Sequence, residues 1–347
     1  MIDDIKLTPQ SKIREALAII DKGGIKIAVV MGNNNKLLGT LSDGDIRRAI
    51  LKGKGLDDSI GGIYFRSPRS VNANESKEDI INLCIRKKIY QVPVIDDDNR
   101  VLGIEILDEL LKPKTQPNKV ILMVGGLGTR LRPLTEKTPK PMLHVGKKPI
   151  LQTIIENFAS YGFINIVMCV NYKSDIIKDY FGNGKKFGVC ISYISEKERM
   201  GTAGALSLLS DKPNEPFFVM NGDLLTNVNF EHLLEFHRFG NALATMCVRE
   251  YDFQVPYGVV NIDNERIVSI EEKPICKFFV NAGIYILNPE CIDYIPKDQF
   301  YDMPTLFETL ISLNKETQSF PLREYWLDIG RMDEYERANR EYYKVFQ

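Results

Sequence analysis

An excess of charge of either sign is missing from this chain: 45 Lys and Arg against 46 Asp and Glu leave a formal charge of −1 at pH 7. With no net field to draw in nucleic acid or an anionic membrane, neither is expected as a partner, and anion binding must be the work of local basic loops. A disulfide or zinc framework is missing as well. The six cysteines, Cys84, Cys169, Cys190, Cys247, Cys276 and Cys291, keep no CxxC spacing and mostly lie in apolar runs, so they read as reduced core residues. No apolar run has the length of a membrane span, and residues 1–10 are too polar for a signal peptide, so the expected localisation is cytoplasmic. At 347 residues, 44% of them hydrophobic and 26% charged, the chain has room for two ordinary globular domains with sizeable cores.

What is present is most informative over residues 120–149, VILMVGGLGTRLRPLTEKTPKPMLHVGKKP. Residues 120–124 form an apolar, β-branched run that reads as a buried parallel strand opening onto Gly125, Gly126 and Gly128. Glycines there let backbone N–H groups approach a triphosphate, while Arg130, Arg132, Lys137 and Lys140 supply positive charge, Arg130 as a fork and Lys140 as a point. Two other glycine loops fit badly. Leu131 stands where a GxGxxG motif wants its last glycine, and no GKS or GKT follows.

The succession GGLGTRLRPLT, PKPML and KKPI closely resembles the signature of sugar-1-phosphate nucleotidyltransferases, and the likeness can be followed to about residue 335. It implies a phosphate cradle of Val124, Gly125, Gly126, Gly128, Thr129 and Arg130, with GTP and a sugar 1-phosphate as substrates. The chain's own pattern agrees, since strand-like runs at 164–170, 189–194, 217–220 and 242–248 alternate with helical stretches such as 150–161. Such alternation predicts an α/β fold, a Rossmann-like mixed and mainly parallel sheet flanked by helices, which the resemblance makes GT-A-like.

Ahead of it lies an internal repeat: residues 25–39, IKIAVVMGNNNKLLG, lie over residues 89–103, IYQVPVIDDDNRVLG, at an offset of 64. Each copy predicts a helix (13–21 and 77–86), a buried strand, an Asn/Asp turn, a second strand ending at Gly39 or Gly103, and another helix. The pattern resembles a tandem pair of CBS domains, which implies an adenine or guanine nucleotide effector and homodimerisation through the pair. In the first copy GTLSDGDIRR puts Ser42 and Asp45 at the family's ligand positions; in the second, Ile106 and Glu109 stand there, so one site is expected at most. A pair serving only dimerisation and packing is an equally open reading. LKPKTQPN, residues 111–118, reads as an exposed linker, giving domains at 1–115 and 119–347.

Further motifs follow within the resemblance. Asn221, Gly222 and Asp223 come after an apolar run; read alone they are a hairpin turn, but LLTNVNF behind them offers no clear returning strand. The family maps Asp223 onto a metal-binding aspartate and Trp326, Asp328 and Gly330 onto W-x-D-x-G, so Asp223 and Asp328 would share Mg²⁺. Read alone, Asp328 is an N-cap for a helix over 332–343. The resemblance assigns the sugar phosphate to Gly258, Glu272 and Lys273 of PYGVV and EEKP, although EEKP alone reads as a charged loop, and to Asn281 and Gly283 of VNAGIYIL.

In EKERMGTAGAL the family places Gly201 and Thr202 near the nucleobase. Glu196, five residues earlier, only accepts hydrogen bonds when ionised, and guanine presents two adjacent donors, so the pocket favours GTP. Glu198 could fill the same role. The expected reaction is in-line attack of a sugar 1-phosphate on the α-phosphorus of GTP, with Arg130, Lys140, Asp223 and Lys273 as the catalytic set. The union of a CBS pair with this transferase resembles glucosamine-1-phosphate guanylyltransferases of bacterial legionaminic acid biosynthesis; mannose 1-phosphate is the alternative acceptor. A nucleotide-sensing regulator without turnover is the reading from another class.

Overall fold

The offset of 64 residues in the sequence reappears in the backbone of a computed structural model, which describes residues 5–346. Residues 1–4, part of the segment read as too polar for a leader, and residue 347 lie outside the described residues. The chain separates into two compact units, one ending at Pro113 and the other starting at Lys114.

In the first unit, the first copy runs β1 (Lys6–Leu7), α1 (Ile13–Gly23), β2 (Ile27–Met31), β3 (Leu37–Ser42) and α2 (Asp43–Leu51). The second runs β4 (Val71–Asn72), α3 (Lys77–Lys87), β5 (Gln91–Ile95), β6 (Val101–Ile106) and α4 (Leu107–Leu110). Each copy makes a three-stranded sheet with one parallel and one antiparallel pairing, and the bulge at Val30/Met31 recurs at Val94/Ile95. Helix α1 buries Ile13, Ala16 and Ile20, one face of a 3.6-residue period. The second strands do not end at Gly39 and Gly103. They continue to Ser42 and Ile106, because Ile27 and Gln91 still offer them pairing partners. Ile5, Val29, Met31 and Val101 form a buried cluster shared by the two copies, as β–α repeats that cannot bury their apolar faces alone require.

The second unit opens with β7 (Val120–Met123), the short strands β8 (His144–Val145) and β9 (Lys148–Pro149), α5 (Ile150–Ser160), β10 (Asn165–Val170), α6 (Ser174–Phe181) and β11 (Cys190–Ser195). It continues with the turn-length α7 (Gly201–Gly204), β12 (Phe217–Asn221), β13 (Leu224–Thr226), α8 (Phe230–Phe239), β14 (Ala244–Gln254), β15 (Val259–Asp263), β16 (Arg266–Glu271) and β17 (Ile275–Leu287). It ends with α9 (Met303–Ser312), β18 (Thr317–Pro321), β19 (Trp326–Asp328) and α10 (Met332–Val345). Seven strands make the main sheet in the order β11-β10-β7-β12-β17-β14-β18. The first four are mutually parallel and β17 runs antiparallel between β12 and β14, so the sheet is mixed and mainly parallel.

Both faces of that sheet are covered at its centre, which is why β7, β10 and β12 read as continuous apolar runs. Val120 and Leu122 of β7 face a core with α5, α8 and α10, where Phe158 and Phe230 stack at 3.7 Å between centroids, while Ile121 faces a core with α9. The linker is shorter than expected. Asn118, its last residue, is fully buried and its Nδ2 donates to the carbonyl of Pro216 at 2.7 Å, so the exposed stretch stops short of it.

Beyond Val248, where the sequence pattern ends the strand, β14 runs on to Gln254 against β17 and, with the β15–β16 hairpin, forms an arm. The arm exposes apolar side chains, among them Phe253, Ile262, Val268 and Phe279. Among the described residues no helix is long and apolar enough to cross a membrane.

Candidate active site

Strand β7 ends where its partners β10 and β12 end, and the chain leaves all three at one edge of the sheet. Val124 N–H donates to Cys169 O at 3.0 Å and Gly222 N–H to Met123 O at 2.9 Å, so the loop after β7 and the turn after β12 are fixed to each other. Gly222 is obligatory there: a Cβ would lie 2.3 Å from Val124 Cγ1. The cleft above this edge is lined by Val124, Gly125 and Gly126 on one side and by Lys140, Asp223, Glu196, Gly201 and Thr202 around it. Gly128 has φ +63, and a Cβ on it would sit 2.9 Å from Thr135 Cγ2 and 3.1 Å from Lys140 Cβ. That glycine therefore lets the loop fold onto Lys140 and does not itself line the cleft. Thr129 and Arg130 are the exposed residues of a 3-10 turn, Thr129–Leu131, and also lie outside the cleft wall. Arg130 is nevertheless close to the acidic end, 3.8 Å from the position of a Cβ on Gly330, and its charge acts on Asp328.

Two aspartates from distant parts of the chain meet beside Lys140. Its ammonium donates to Asp223 Oδ2 at 2.5 Å and stands 3.7 Å from Asp328 Oδ1. Backbone pairing enforces the meeting. LLT, read as lacking a returning strand, is strand β13, and it pairs antiparallel with β19 so that Leu224 faces Asp328; Ile329 N–H then donates to Asp223 O at 3.2 Å. The hairpin reading of NGD fails because β13 leaves the main sheet instead of returning along β12. The N-cap reading of Asp328 fails too. Helix α10 begins four residues later, at Met332, with Arg331 in the N-cap position, and the Gly330 and Arg331 N–H groups both go to Glu334 Oε2 at 2.7 Å.

Partial burial, followed by the charge of Asp223, pushes the Asp328 carboxyl above its usual value, against the pull of Lys140 and Arg130. Asp223 Oδ1 is buried with no hydrogen-bond partner. An orphaned hard oxygen next to a second carboxylate suits a divalent cation of the Mg²⁺ type, which takes one or two carboxylates and leaves its other positions to water and phosphate. Among the described residues no group of three or more acidic, His or Cys side chains is placed to hold a metal ion by itself.

At the other end of the cleft, Glu196 follows β11 and is held by its own backbone, N–H to Val170 O at 2.9 Å and carbonyl to Asn171 Nδ2 at 3.1 Å. Its Oε2 accepts from Met200 N–H at 3.2 Å, while Oε1 points at the glycine loop, 3.2 Å from where a Gly125 Cβ would be. Desolvation raises the pKa of this carboxyl, with the Met200 N–H bond and the charge of Arg199 opposing the shift. Glu198 lies elsewhere, in a separate depression with Ser195 and Lys197. Gly201 has φ +78 and a Cβ there would lie 2.6 Å from Tyr301 O. Thr202 gives both its N–H and its hydroxyl to Asp302 Oδ1, at 2.9 and 3.2 Å.

Arg199, Asn221, Phe300 and Asp302 also line the cleft and were not singled out as binders by the sequence. Asp302 carries a visible signal, since D-M-P is a helix start and Asp302 occupies the N-cap position of α9. Its side chain makes no cap bond and goes to Thr202, a partner one hundred residues away that local spacing cannot reveal.

The sugar-phosphate set divides. Gly283, at φ +70, packs against the NGD turn, a Cβ there being 2.7 Å from Asn221 Nδ2, and Gly283 N–H donates to Asn281 Oδ1 at 2.9 Å. Asn281 Nδ2 donates to Tyr285 OH at 2.7 Å, so both ends of that amide are already bonded within the strand. Gly258, Glu272 and Lys273 do not join the cleft wall. They sit in the connections of the arm, with Glu272 Oε2 2.9 Å from a Cβ on Gly258 and Lys273 exposed at φ +48.

In the first unit Ser42 and Asp45 are engaged with each other. Ser42 N–H and Oγ both donate to Asp45 Oδ2, at 2.9 and 2.6 Å, and Asp45 N–H returns to Ser42 Oγ at 3.2 Å, a capping box for α2. At the second copy Ile106 has no such oxygen, and α4 spans Leu107–Leu110 only.

A family model described as nucleotidyl transferase matches residues 119–345, and one described as CBS domain matches residues 1–52 and 60–104. The mannose-1-phosphate guanyltransferase of Saccharomyces cerevisiae is 38% identical over 224 residues, 61% of each chain. That of Candida albicans is 37% identical over 226 residues, again 61% of each. The chain thus spans about three-fifths of the length of these relatives. The crystal structure of HddC from Yersinia pseudotuberculosis complexed with GMP-PN covers 65% of the chain and 99% of HddC, with TM-score 0.51 and 26% identity.

Proposed function

The chain belongs to the nucleotidyl transferase family, and on that premise we propose that it transfers a guanylyl group from GTP to a hexose 1-phosphate, releasing pyrophosphate. The observation that carries the reading is Lys140 held between Asp223 and Asp328 under the glycine loop, with Glu196 at the opposite end of the same cleft.

In this reading the loop at Val124, Gly125 and Gly126 takes the nucleotide phosphates on its backbone N–H groups, and Glu196 Oε1 accepts from the guanine edge. A sugar-phosphate oxygen attacks the α-phosphorus; one P–O bond forms while the bond to the β-phosphate bridging oxygen breaks, and pyrophosphate leaves in line. No covalent enzyme intermediate is required, because positioning and charge neutralisation lower the barrier. A divalent cation, Mg²⁺ by its donor set, would be held by Asp223 and Asp328 and would supply charge neutralisation at the triphosphate. Lys140 and Arg130 add fixed positive charge, Asn281 and Gly283 shape the sugar platform, and Lys273 reaches the acceptor phosphate from the arm.

Mannose 1-phosphate moves ahead of glucosamine 1-phosphate as the acceptor. Relatives 37–38% identical over the transferase region bear the mannose name, whereas the glucosamine reading rests on the pairing of this domain with a CBS pair. The CBS pair is the regulatory half of the proposal, an effector site for an adenine or guanine nucleotide at Ser42 and Asp45 and a contact between two copies of the chain. Pyrophosphate release over a grid of GTP, ATP, UTP and dTTP against mannose, glucosamine and glucose 1-phosphates tests the reading. The highest rate is expected for GTP with mannose 1-phosphate. A preference for UTP or dTTP overturns the assignment of Glu196, and absence of release from every pair overturns the transfer itself.

A further inference from the structure

Two segments far apart in the chain, the loop at 200–204 and the turn at 299–303, are clasped by backbone bonds. Tyr301 N–H donates to Met200 O at 2.9 Å, and Ala203 and Gly204 N–H both donate to Tyr301 O, at 2.9 and 2.8 Å. Thr202 gives two bonds to Asp302 Oδ1, and Met303 N–H donates to Thr202 Oγ1 at 2.8 Å. Between these fixed points stands Phe300. Tyr301 turns inward, packs against the core beneath the sheet and bonds Thr309 Oγ1 at 2.6 Å, so its neighbour Phe300 is sent the other way. The Phe300 ring is 59% exposed, belongs to no core cluster among the described residues, and is the one aromatic ring among the residues that line the cleft.

A lone exposed phenylalanine on a protein surface is ordinary. One whose backbone is clasped between two segments, and which lines the same cleft as a carboxylate that can address only the edge of a base, is placed for the base's face. We propose that Phe300 is the stacking surface for the nucleobase of the bound nucleoside triphosphate, a binding residue for the base distinct from the edge contact at Glu196. The inference rests on the nucleotidyl-transfer reading. Stacking is tolerant of base identity because every base has a π-face, whereas edge contacts discriminate. Phe300 therefore adds affinity, and Glu196 adds choice.

The test titrates the full chain with GTP and Mg²⁺, and separately with tripolyphosphate and Mg²⁺, an anion without a base. Phe300→Ala is expected to weaken GTP binding by roughly tenfold, the scale of one lost base stack. It should leave tripolyphosphate binding and the GTP-to-UTP ratio unchanged, and raise KM for GTP while sparing kcat. Phe300→Tyr should restore the wild-type Kd and Phe300→Leu should restore it only in part. An unchanged Kd in Phe300→Ala, a parallel loss of tripolyphosphate binding, or full rescue by leucine overturns the stacking role. Failure of the unaltered chain to bind GTP at all overturns the guanylyl-transfer reading beneath it, and that result is read before any variant is made.

Discussion

Lys140 and Lys273 are both assigned to phosphate, yet the first is 13% exposed and wedged between two carboxylates at a sheet edge, while the second stands in solvent in a turn of the arm. The surroundings differ in the same sense. Around Lys140, glycines at 128 and 222 are packed so closely that a methyl group would strike a neighbour, and Asp223 and Asp328 are joined through paired backbones. Around Lys273 the hairpin exposes Ile262, Val268 and Ile270 to solvent. The cleft is thus preorganised for charge, where fixed groups act without reorganisation, while the arm holds Lys273 in solvent outside the cleft wall. This division predicts that cleft substitutions act on turnover and arm substitutions act on acceptor binding.

The largest effect is expected at Asp223→Asn. It removes the carboxylate that pairs with Lys140 and owns the orphaned buried oxygen, so kcat should fall by about a hundredfold or more, the scale of losing a fixed charge at a developing transition state. Thermal unfolding should be nearly unchanged, since Lys140 keeps Asp328 within reach. Near-normal turnover in that variant would remove the distinction between cleft and arm at its root. Next comes Lys273→Ala, expected to raise KM for the sugar 1-phosphate about tenfold, as loss of one charge-assisted bond implies, with GTP affinity unaltered. If steady-state kinetics show no change for the acceptor, the arm has no part in the reaction.

The same contrast explains what could be read in advance. The glycine loop and Asp223 sit at the ends of β7 and β12, whose apolar runs are buried on both faces, and such runs announce themselves in sequence. The meeting of Asp223 with Asp328 was legible only through motif order, because the pairing of β13 with β19 spans about a hundred residues and LLT is too short to declare itself a strand. The extension of β14 beyond Val248 was hidden for a different reason. YDFQ carries no inward-facing alternation, since neither face of the arm is buried there. Ser42 and Asp45 show the opposite failure, where a pattern that fits a ligand site equally fits a capping box, and the side chains are found bonded to each other.

Glu196 offers the finest discrimination, because its effect is on selectivity and on pH. Glu196→Gln keeps the acceptor oxygen but introduces an N–H₂ that faces guanine's donors in one amide orientation, so the GTP-to-UTP ratio of kcat/KM should fall several-fold with little change in overall rate. The carboxyl is raised above its ordinary 4.5 chiefly by desolvation, so between 4.5 and the raised value the folded chain holds a proton that the unfolded chain has released. Two consequences follow from that sign. GTP binding by the unaltered chain should weaken as pH falls through the raised value, beginning nearer neutrality than an ordinary glutamate would, and this limb should be missing from the glutamine variant. Stability should move the other way, falling as pH rises from 4.5 to the raised value, where the unfolded chain ionises first. Asp328 is raised as well, so an acid limb alone does not identify Glu196; its disappearance in Glu196→Gln, followed by GTP titration across pH, does. A limb that persists in the variant assigns the titration to the acidic end of the cleft and leaves the base to be read by some other group.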